Sequence, residues 1–147
     1  MILGVGVDVV ALEGFAAQLA DRASSFVAGT FTPRELALIE GRPARDKSPH
    51  LGGRYAAKEA FLKAWSMARF GRPPALRGVS LKEIEIVEDA WRRPGVTLHG
   101  AVKAAVAESL GDVQVHISLS HDGPVAAAYI ILETRSDAQR AEVTHGS

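Results

Sequence analysis

The chain has 147 residues, which is enough for one compact domain and too few for two ordinary ones. Its 17 basic residues balance its 17 acidic residues, so it lacks the net positive field of nucleic-acid-binding proteins, and an anionic ligand must be held by a local cluster. The lack of cysteine excludes disulfides and thiolate metal sites. No apolar run approaches the roughly 20 residues that span a bilayer. We therefore expect a cytoplasmic protein that binds neither nucleic acid nor membrane.

The first predicted element is a strand from Ile2 to Val10 that carries two glycines and an acid on one face. Strand alternation places Gly4, Gly6 and Asp8 together, opposite a row of aliphatic side chains. Glycine allows another backbone or a ligand to approach closely. Two interpretations of Asp8 stay open at this point: a carboxylate that serves a ligand, or a turn-forming residue after a bulged strand.

Helix signals follow the first strand. Leu12 to Leu19 is a short helix candidate, and Thr32-Pro33-Arg34-Glu35 predicts a second helix that ends near Glu40, with Thr as N-cap and Pro at the first position. Residues 41–49 mix Gly, Pro and charges, which is typical of a loop. The main helix is predicted from about His50 to Ala68, before the Gly and Pro residues at positions 71–74.

The main helix carries an acid and a base on the side away from its apolar stripe. With Ala57 at the centre of the stripe, Glu59 and Lys63 lie on the opposite side, four residues apart. A pair of this kind is usually a surface ion pair worth about 0.3–0.5 kcal/mol. Tyr55 and Leu62 lie close to Glu59 around the helix, however, which indicates that a ligand or another subunit covers this side.

A second basic group lies on another flank of the same helix. Arg54 and Lys58 are one turn apart, and with Lys63 they form a basic run along the helix. A solvated surface is one interpretation. The functional interpretation is a phosphate clamp, because both side-chain types donate hydrogen bonds to anionic oxygens.

The second half is predicted to be rich in strands, with one helix. In chain order, we expect strands at 84–87 and 96–98, a helix at 101–110, and strands at 113–120 and 125–132 that form a hairpin. The last strand is continuously apolar, which predicts burial on both faces. Residues 134–147 are polar and are expected to fray, so the predicted domain covers residues 1–133.

Ser118, Ser120, His121 and Asp122 cluster where the first hairpin strand ends. A Ser-His-Asp hydrolase triad is rejected, because adjacent residues of a strand and turn project in different directions and no G-x-S-x-G pattern is present. The cluster is better interpreted as hydroxyl and imidazole groups for a phosphate or a ribose. Simple turn chemistry is the alternative.

These motifs, in this order, resemble one known family. The chain carries Gly-Val-Gly-Val-Asp ending at Asp8, then Arg-Tyr-Ala-Ala-Lys-Glu-Ala-Phe-Leu-Lys-Ala, then Ser-Leu-Ser-His before an alanine-rich strand. Over about residues 1–133 it resembles the holo-[acyl-carrier-protein] synthases, the short form of the 4′-phosphopantetheinyl transferase superfamily. The resemblance implies an α+β fold, with a small antiparallel sheet packed on a long central helix, in a homotrimer with active sites between subunits.

The resemblance also implies a reaction. Members of the family use Mg²⁺ to move the phosphopantetheine arm of coenzyme A onto a serine of an acyl carrier protein, or of a carrier domain of a fatty acid synthase, and release adenosine 3′,5′-bisphosphate. By position in the motifs, Asp8 and Glu59 would hold the metal, and Lys63 would lie near the pyrophosphate. Ser118, Ser120 and His121 would contribute to the coenzyme A site.

Other roles follow from chemistry added to the resemblance. Glu59, acting through a water on the metal, is the first candidate to accept the proton of the acceptor serine, with Asp122 and His121 as alternatives. Arg54 and Lys58 are expected to contact the 3′-phosphate or the pyrophosphate.

The sequence departs from the family pattern in three places. Glu13-Gly14 stands where a basic residue usually meets the carrier protein, which leaves docking to Arg22, Arg34, Arg45 or an apolar contact through Phe15. Arg92-Arg93 replaces a pair of Gly-Lys type, and the loop at residues 69–78 is longer and more basic than usual.

Two other functions fit the same residues. A metal-dependent phosphohydrolase of coenzyme A or nucleotides would use the same acids and bases with water as the acceptor. A non-catalytic trimeric module would bind coenzyme A without turnover.

Overall fold

The computed structural model describes residues 1–145, which form an α+β fold. In chain order the elements are β1 (Ile2–Ala11), α1 (Leu12–Ala20), α2 (Phe26–Thr30), α3 (Pro33–Ala37), α4 (Ala44–Ala68), a 3-10 turn (Leu81–Glu83), β2 (Ile84–Glu88), β3 (Pro94–Leu98), α5 (Gly100–Leu110), β4 (Val113–Asp122), β5 (Val125–Thr134) and α6 (Asp137–His145). Within residues 1–145, no helix is long and apolar enough to cross a membrane.

The strands form two small antiparallel sheets. The larger sheet has the order β1-β5-β4, and the smaller one is the β2-β3 hairpin. In the larger sheet Asp8 of β1 and Leu119 of β4 both pair with Ala128 of β5. β5 therefore separates β1 from β4, by about 10 Å in total at the usual strand spacing.

Helix α4 lies against the face of the larger sheet that Gly4 and Gly6 leave open. A Cβ atom on Gly6 would overlap the carbonyl oxygen of Ala60, and one on Gly4 would overlap that of Ala64. The buried alanines of α4 and the glycines of β1 thus bring the two backbones into contact. This close approach fixes where the polar side chains of α4 lie relative to Asp8.

Several expectations from the sequence need correction. Helix α4 begins at Ala44, so most of the expected loop at 41–49 is helical, and Pro49 lies inside the helix. A proline there removes one backbone hydrogen bond, a loss that packing can offset. The short helix α2 was not predicted. Strand β4 continues through Asp122, and the hairpin turns at Gly123, whose φ is +53°.

Burial also differs from the sequence expectations. In the single chain β5 is fully buried on one face only, because Tyr129 on the other face is 48% exposed. Phe15 is buried and stacks on Tyr55, so it offers no apolar surface to a partner. The expected tail contains helix α6, and residues 146–147 lie outside the described residues.

Candidate active site

Asp8 and Lys63 meet where β1 crosses α4. The Nζ atom of Lys63 donates a hydrogen bond to Oδ1 of Asp8 at 2.9 Å and another to the carbonyl oxygen of Val7 at 3.2 Å. The Asp8 side chain is 17% exposed and that of Lys63 is 56% exposed. The carboxylate is therefore largely enclosed, while the ammonium group can reach solvent and a bound anion.

Glu59 lies beside Asp8 and Lys63, as the surroundings of the Tyr55 hydroxyl group indicate. Burial raises the pKa of the Tyr55 phenol, the negative charges of Glu59 and Asp8 raise it further, and a hydrogen bond with Glu59 adds to the effect. Both carboxylates thus act on one hydroxyl group. The structure brings Asp8, Glu59 and Lys63 together, as the sequence predicts. It also shows that Tyr55 is a partner of Glu59, whereas the sequence indicated only that Tyr55 lies on a covered side of the helix.

The donor set at this place suits a magnesium ion. Within the described residues no group of three or more His, Cys, Asp or Glu side chains could hold a metal by itself. Asp8 and Glu59 supply carboxylate oxygens alone, and Mg²⁺ is commonly held by one or two carboxylates completed by water and substrate phosphates. In this structure the ammonium group of Lys63 pairs with the Asp8 carboxylate.

A separate pocket of about 340 Å³ opens on another side of α4. Its polar lining comes from α4, from the turn that joins β2 to β3, and from the end of β4, namely Arg54, Arg92, Ser118, Ser120 and His121. Arg54 and Glu59 are five residues apart on the helix, which separates them by about 140° around the axis and about 7.5 Å along it. One chain therefore presents the carboxylates and the basic pocket on different sides of α4.

Arg54 is held at the edge of this pocket by an acid of β2. Its Nη2 atom donates a 2.6 Å hydrogen bond to Oε1 of Glu88. Its Nε atom is buried and has no acceptor within the described part of the chain. Burial, more than any other influence, lowers the pKa of the guanidinium group, and the charge of Glu88 opposes that shift. Arg54 lines the same pocket as Ser118, Ser120 and His121, and the phosphate contact expected of it stays a prediction.

Lys58 does not have the role predicted for it. Its side chain is 0% exposed, and its Nζ atom donates hydrogen bonds to Oε1 of Glu35 at 2.7 Å and to the carbonyl oxygens of Thr30 and Leu81 at 2.7 and 3.0 Å. An ammonium group has three hydrogens to donate, so all of them are used inside the protein. Lys58 joins three segments of the core, and its ammonium group has no hydrogen left to donate to a phosphate.

Comparison with known proteins identifies the family. A sequence model described as the 4′-phosphopantetheinyl transferase superfamily matches residues 4–130. The chain belongs to this superfamily. Among curated relatives, the holo-[acyl-carrier-protein] synthase of Mycobacterium tuberculosis is 47% identical over 136 residues, which cover 90% of this chain and 97% of the relative. The enzyme of the same name from Mycolicibacterium smegmatis is 46% identical over 136 residues, with the same coverage of 90% and 97%.

Solved structures of such transferases share the fold. The complex of the Chronobacterium ammoniagenes enzyme with coenzyme A is similar with a TM-score of 0.83 and 43% identity, covering 90% of this chain and 98% of that one. The Bacillus anthracis holo-(acyl-carrier-protein) synthase, solved with coenzyme A (3′,5′-ADP), has a TM-score of 0.70 and 27% identity, covering 92% and 99%.

The remaining predicted site residues of this phosphopantetheinyl transferase lie on β4. His121 and Asp122 are exposed and pair with Ala126 and Val125, so β5 separates them from Asp8 within one chain. Arg92 and Pro94 also line the basic pocket, although no role was predicted for either of them from the sequence. Their positions depend on the β2-β3 turn folding toward β4, which local sequence patterns do not reveal.

Proposed function

We propose that the protein is a holo-[acyl-carrier-protein] synthase. It transfers the 4′-phosphopantetheine arm of coenzyme A to a serine of an apo acyl carrier protein and releases adenosine 3′,5′-bisphosphate. The observation that carries this proposal is the meeting of Asp8, Glu59 and Lys63 in a chain of this superfamily. The names of the relatives favour transfer to a carrier over hydrolysis or simple binding. A cytoplasmic location is part of the proposal.

In this proposal Asp8 and Glu59 hold a magnesium ion. When bound, that ion would neutralise charge on the pyrophosphate and orient it for in-line attack by the acceptor serine. Tyr55 orients the Glu59 carboxylate through their hydrogen bond. Lys63 exchanges its contact with Asp8 for the phosphate that carries the growing negative charge, which its 56% exposure allows.

The acceptor serine must lose its proton as it attacks. Glu59 is the first candidate to receive it, because it lies at the proposed phosphate site and is partly exposed. His121 and Asp122 remain alternatives if the β4 end of a neighbouring copy approaches the carboxylates. On the carrier side, Arg22, Arg34 and Arg45 are exposed and suit an acidic partner.

The active form in this proposal is a homotrimer. Val7, Val9 and Tyr129 lie on the sheet face opposite α4 and are 48%, 61% and 48% exposed, which is unusual for a strand face. Burial of this face against other copies would cover it. The same assembly would bring the basic pocket of one copy to the carboxylates of its neighbour, which one chain keeps apart.

Two variants test the metal site. Asp8→Asn and Glu59→Gln keep the size of each side chain and remove a charged ligand, so each should lower the rate of arm transfer by at least about a hundredfold. Glu40→Gln, which changes an exposed acid of the same type, is the control and should keep the rate of the unaltered protein. Full activity of both site variants would overturn the assignment.

A mixing experiment tests the shared site. Asp8→Asn damages the carboxylate half and Arg54→Gln damages the pocket half, so each variant alone should be inactive. After random re-assembly of equal amounts, about a quarter of the sites should combine two intact halves if the halves come from different copies. No recovered activity in mixed oligomers would contradict that arrangement.

A further inference from the structure

The ammonium group of Lys63 is bound to one of the two carboxylates on which the proposed metal site depends. Its Nζ atom donates hydrogen bonds to Oδ1 of Asp8 at 2.9 Å and to the carbonyl oxygen of Val7 at 3.2 Å. A Mg²⁺ ion on the same Oδ1 atom, at about 2.1 Å, would lie within about 5 Å of that ammonium group. Cations this close repel each other, and the Asp8 side chain is only 17% exposed, so Lys63 and a metal ion compete for it.

The protein supplies few other ligands to hold a metal ion against this competition. Asp8 and Glu59 are the carboxylates that meet here, and in the described residues no group of three or more His, Cys, Asp or Glu side chains could hold a metal ion. Mg²⁺ prefers octahedral coordination by oxygen, so most of its ligands must come from water or from substrate phosphates. The contact of Lys63 with Asp8 therefore weakens metal binding most when no phosphate is bound.

The Lys63 side chain can leave Asp8 without moving the strand that carries this carboxylate. One turn further along α4, the Sδ atom of Met67 accepts a 3.2 Å hydrogen bond from the N–H group of Val5. The glycines of β1 also hold the strand in close contact with the α4 backbone. Lys63 itself has a flexible stem and a side chain that is 56% exposed. Release of its ammonium group would therefore open the Asp8 carboxylate and leave it in place.

A pyrophosphate group offers Lys63 an alternative to Asp8. Phosphate oxygens accept charge-assisted hydrogen bonds, and an ammonium group has three hydrogens to donate. Ion pairs with an exposed member contribute little to stability, so Lys63 loses little when it exchanges Asp8 for a phosphate. Phosphate oxygens are also ligands that Mg²⁺ prefers. One anion can therefore remove the competitor from Asp8 and complete the coordination of the metal ion.

We propose that Lys63 competes with the metal ion for Asp8 in the free protein, and that coenzyme A ends this competition when its pyrophosphate draws the ammonium group away. The inference rests on the proposed function. It makes metal binding and donor binding cooperative through a side chain of the protein, in addition to the direct contact between metal and phosphate. Such coupling is reciprocal, so the metal ion must raise the affinity for coenzyme A by the same factor. The protein alone then binds a divalent ion weakly and holds it firmly only beside a donor.

The test measures binding of Mn²⁺, a paramagnetic substitute for Mg²⁺, to the protein without coenzyme A or a carrier. The electron paramagnetic resonance signal of free Mn²⁺ gives the dissociation constant. Lys63→Met removes the ammonium group and keeps a long side chain, so it should tighten Mn²⁺ binding by about fivefold or more. Lys63→Arg keeps a cation that can pair with Asp8, and Lys103→Met removes an exposed lysine of α5. Both control variants should bind Mn²⁺ as weakly as the unaltered protein.

Two further measurements separate competition at Asp8 from a general effect of charge. In about 1 M salt the screening length is about 3 Å, so a long-range effect should disappear. The tightening by Lys63→Met should persist there, because the contact that it removes, at 2.9 Å, lies within that length. Saturating coenzyme A should tighten Mn²⁺ binding to the unaltered protein more than to Lys63→Met, which has no ammonium group to displace.

Each other outcome has a definite meaning. Unchanged or weaker Mn²⁺ binding by Lys63→Met would overturn the inference. Equal tightening by Lys63→Met and by either control, or a tightening that vanishes in salt, would also overturn it. If the unaltered protein transfers no arm but Lys63→Met alone tightens Mn²⁺ binding, the proposed function fails and the competition at Asp8 stands. If transfer occurs and Mn²⁺ binding does not change, the inference alone fails.

Discussion

Replacement of Lys58 by methionine separates a structural lysine from a phosphate-binding one. Methionine fills a similar volume, but it removes the hydrogen bonds to Glu35, Thr30 and Leu81. Glu35 is only 1% exposed, so its charge would lose its partner in the core. Removal of one member of a buried ion pair costs about 3–5 kcal/mol.

The structure places the expected loss near the lower end of that range. The Glu35 carboxylate still accepts hydrogen bonds from the backbone N–H groups of Thr32 and Ile86 at 2.9 and 3.0 Å, which stabilise its charge. We therefore expect a loss of about 3 kcal/mol in the free energy of unfolding, a large part of the 5–15 kcal/mol typical of a domain.

Urea unfolding at pH 7 and fixed protein concentration measures this loss. Lys103→Met, which alters an exposed lysine of α5, is the control and should change stability by less than about 0.5 kcal/mol. The KM for coenzyme A of folded Lys58→Met protein should not change. A stability loss below about 1 kcal/mol together with a raised KM would refute the structural role and restore a phosphate contact.

Three further predictions follow from the site and its surroundings. The pKa of His50 is lowered to about 4 by burial and by nearby arginines, and Arg42 is within hydrogen-bond distance of its Nδ1. The unfolded chain therefore takes up a proton more readily than the folded chain, and the free energy of unfolding should fall by about 2 kcal/mol, after allowance for solvent screening, as the pH drops from about 6.5 toward 4. The variant His50→Asn should show a smaller fall over the same pH range. A pH-independent stability in the unaltered protein would be inconsistent with this. Tyr55→Phe should raise the Mg²⁺ concentration for half-maximal transfer by about threefold to tenfold, because Glu59 loses a hydrogen bond. An unchanged Mg²⁺ requirement would exclude a role of Tyr55 in orienting the Glu59 carboxylate. Gly6→Ala should cost about 3 kcal/mol or more in unfolding experiments, because the added Cβ would overlap the carbonyl oxygen of Ala60; a neutral result would mean that α4 and β1 are further apart than described.

The sequence identified the carboxylates because short patterns determine their surroundings. Alternation put Asp8 on the glycine face of β1, and the four-residue spacing put Glu59 and Lys63 on one side of α4. The structure adds that the glycines bring the helix backbone against the strand, so the two features meet. Local periodicity and the family resemblance were together sufficient to select these side chains, whose roles in metal binding and catalysis stay predictions.

Arg54 and Lys58 could not be distinguished from spacing. Both lie on one flank of α4, one turn apart, and both have the chemistry of a phosphate ligand. Lys58 is buried because Glu35 and two carbonyl groups from distant segments surround it. Such long-range contacts have no periodic signature in the sequence. The position of Arg92 beside the pocket could not be predicted for the same reason.

The helix boundaries show a related limit. Gly41, Pro43 and Pro49 are usual signs of a loop, yet α4 begins at Ala44 and includes Pro49. Packing of the first turns of α4 against the core, where His50 and Leu51 are buried, outweighs the lost backbone hydrogen bond. Tertiary contacts therefore decided this boundary against local propensity.

The intact mass of an apo acyl carrier protein shows whether this protein transfers the phosphopantetheine arm. The carrier is incubated with coenzyme A, Mg²⁺ and this protein, beside a carrier whose acceptor serine is replaced by alanine. We expect a gain of one phosphopantetheine arm on the first carrier only, together with release of adenosine 3′,5′-bisphosphate. An unmodified carrier, or release of the bisphosphate in the absence of any carrier, would contradict it.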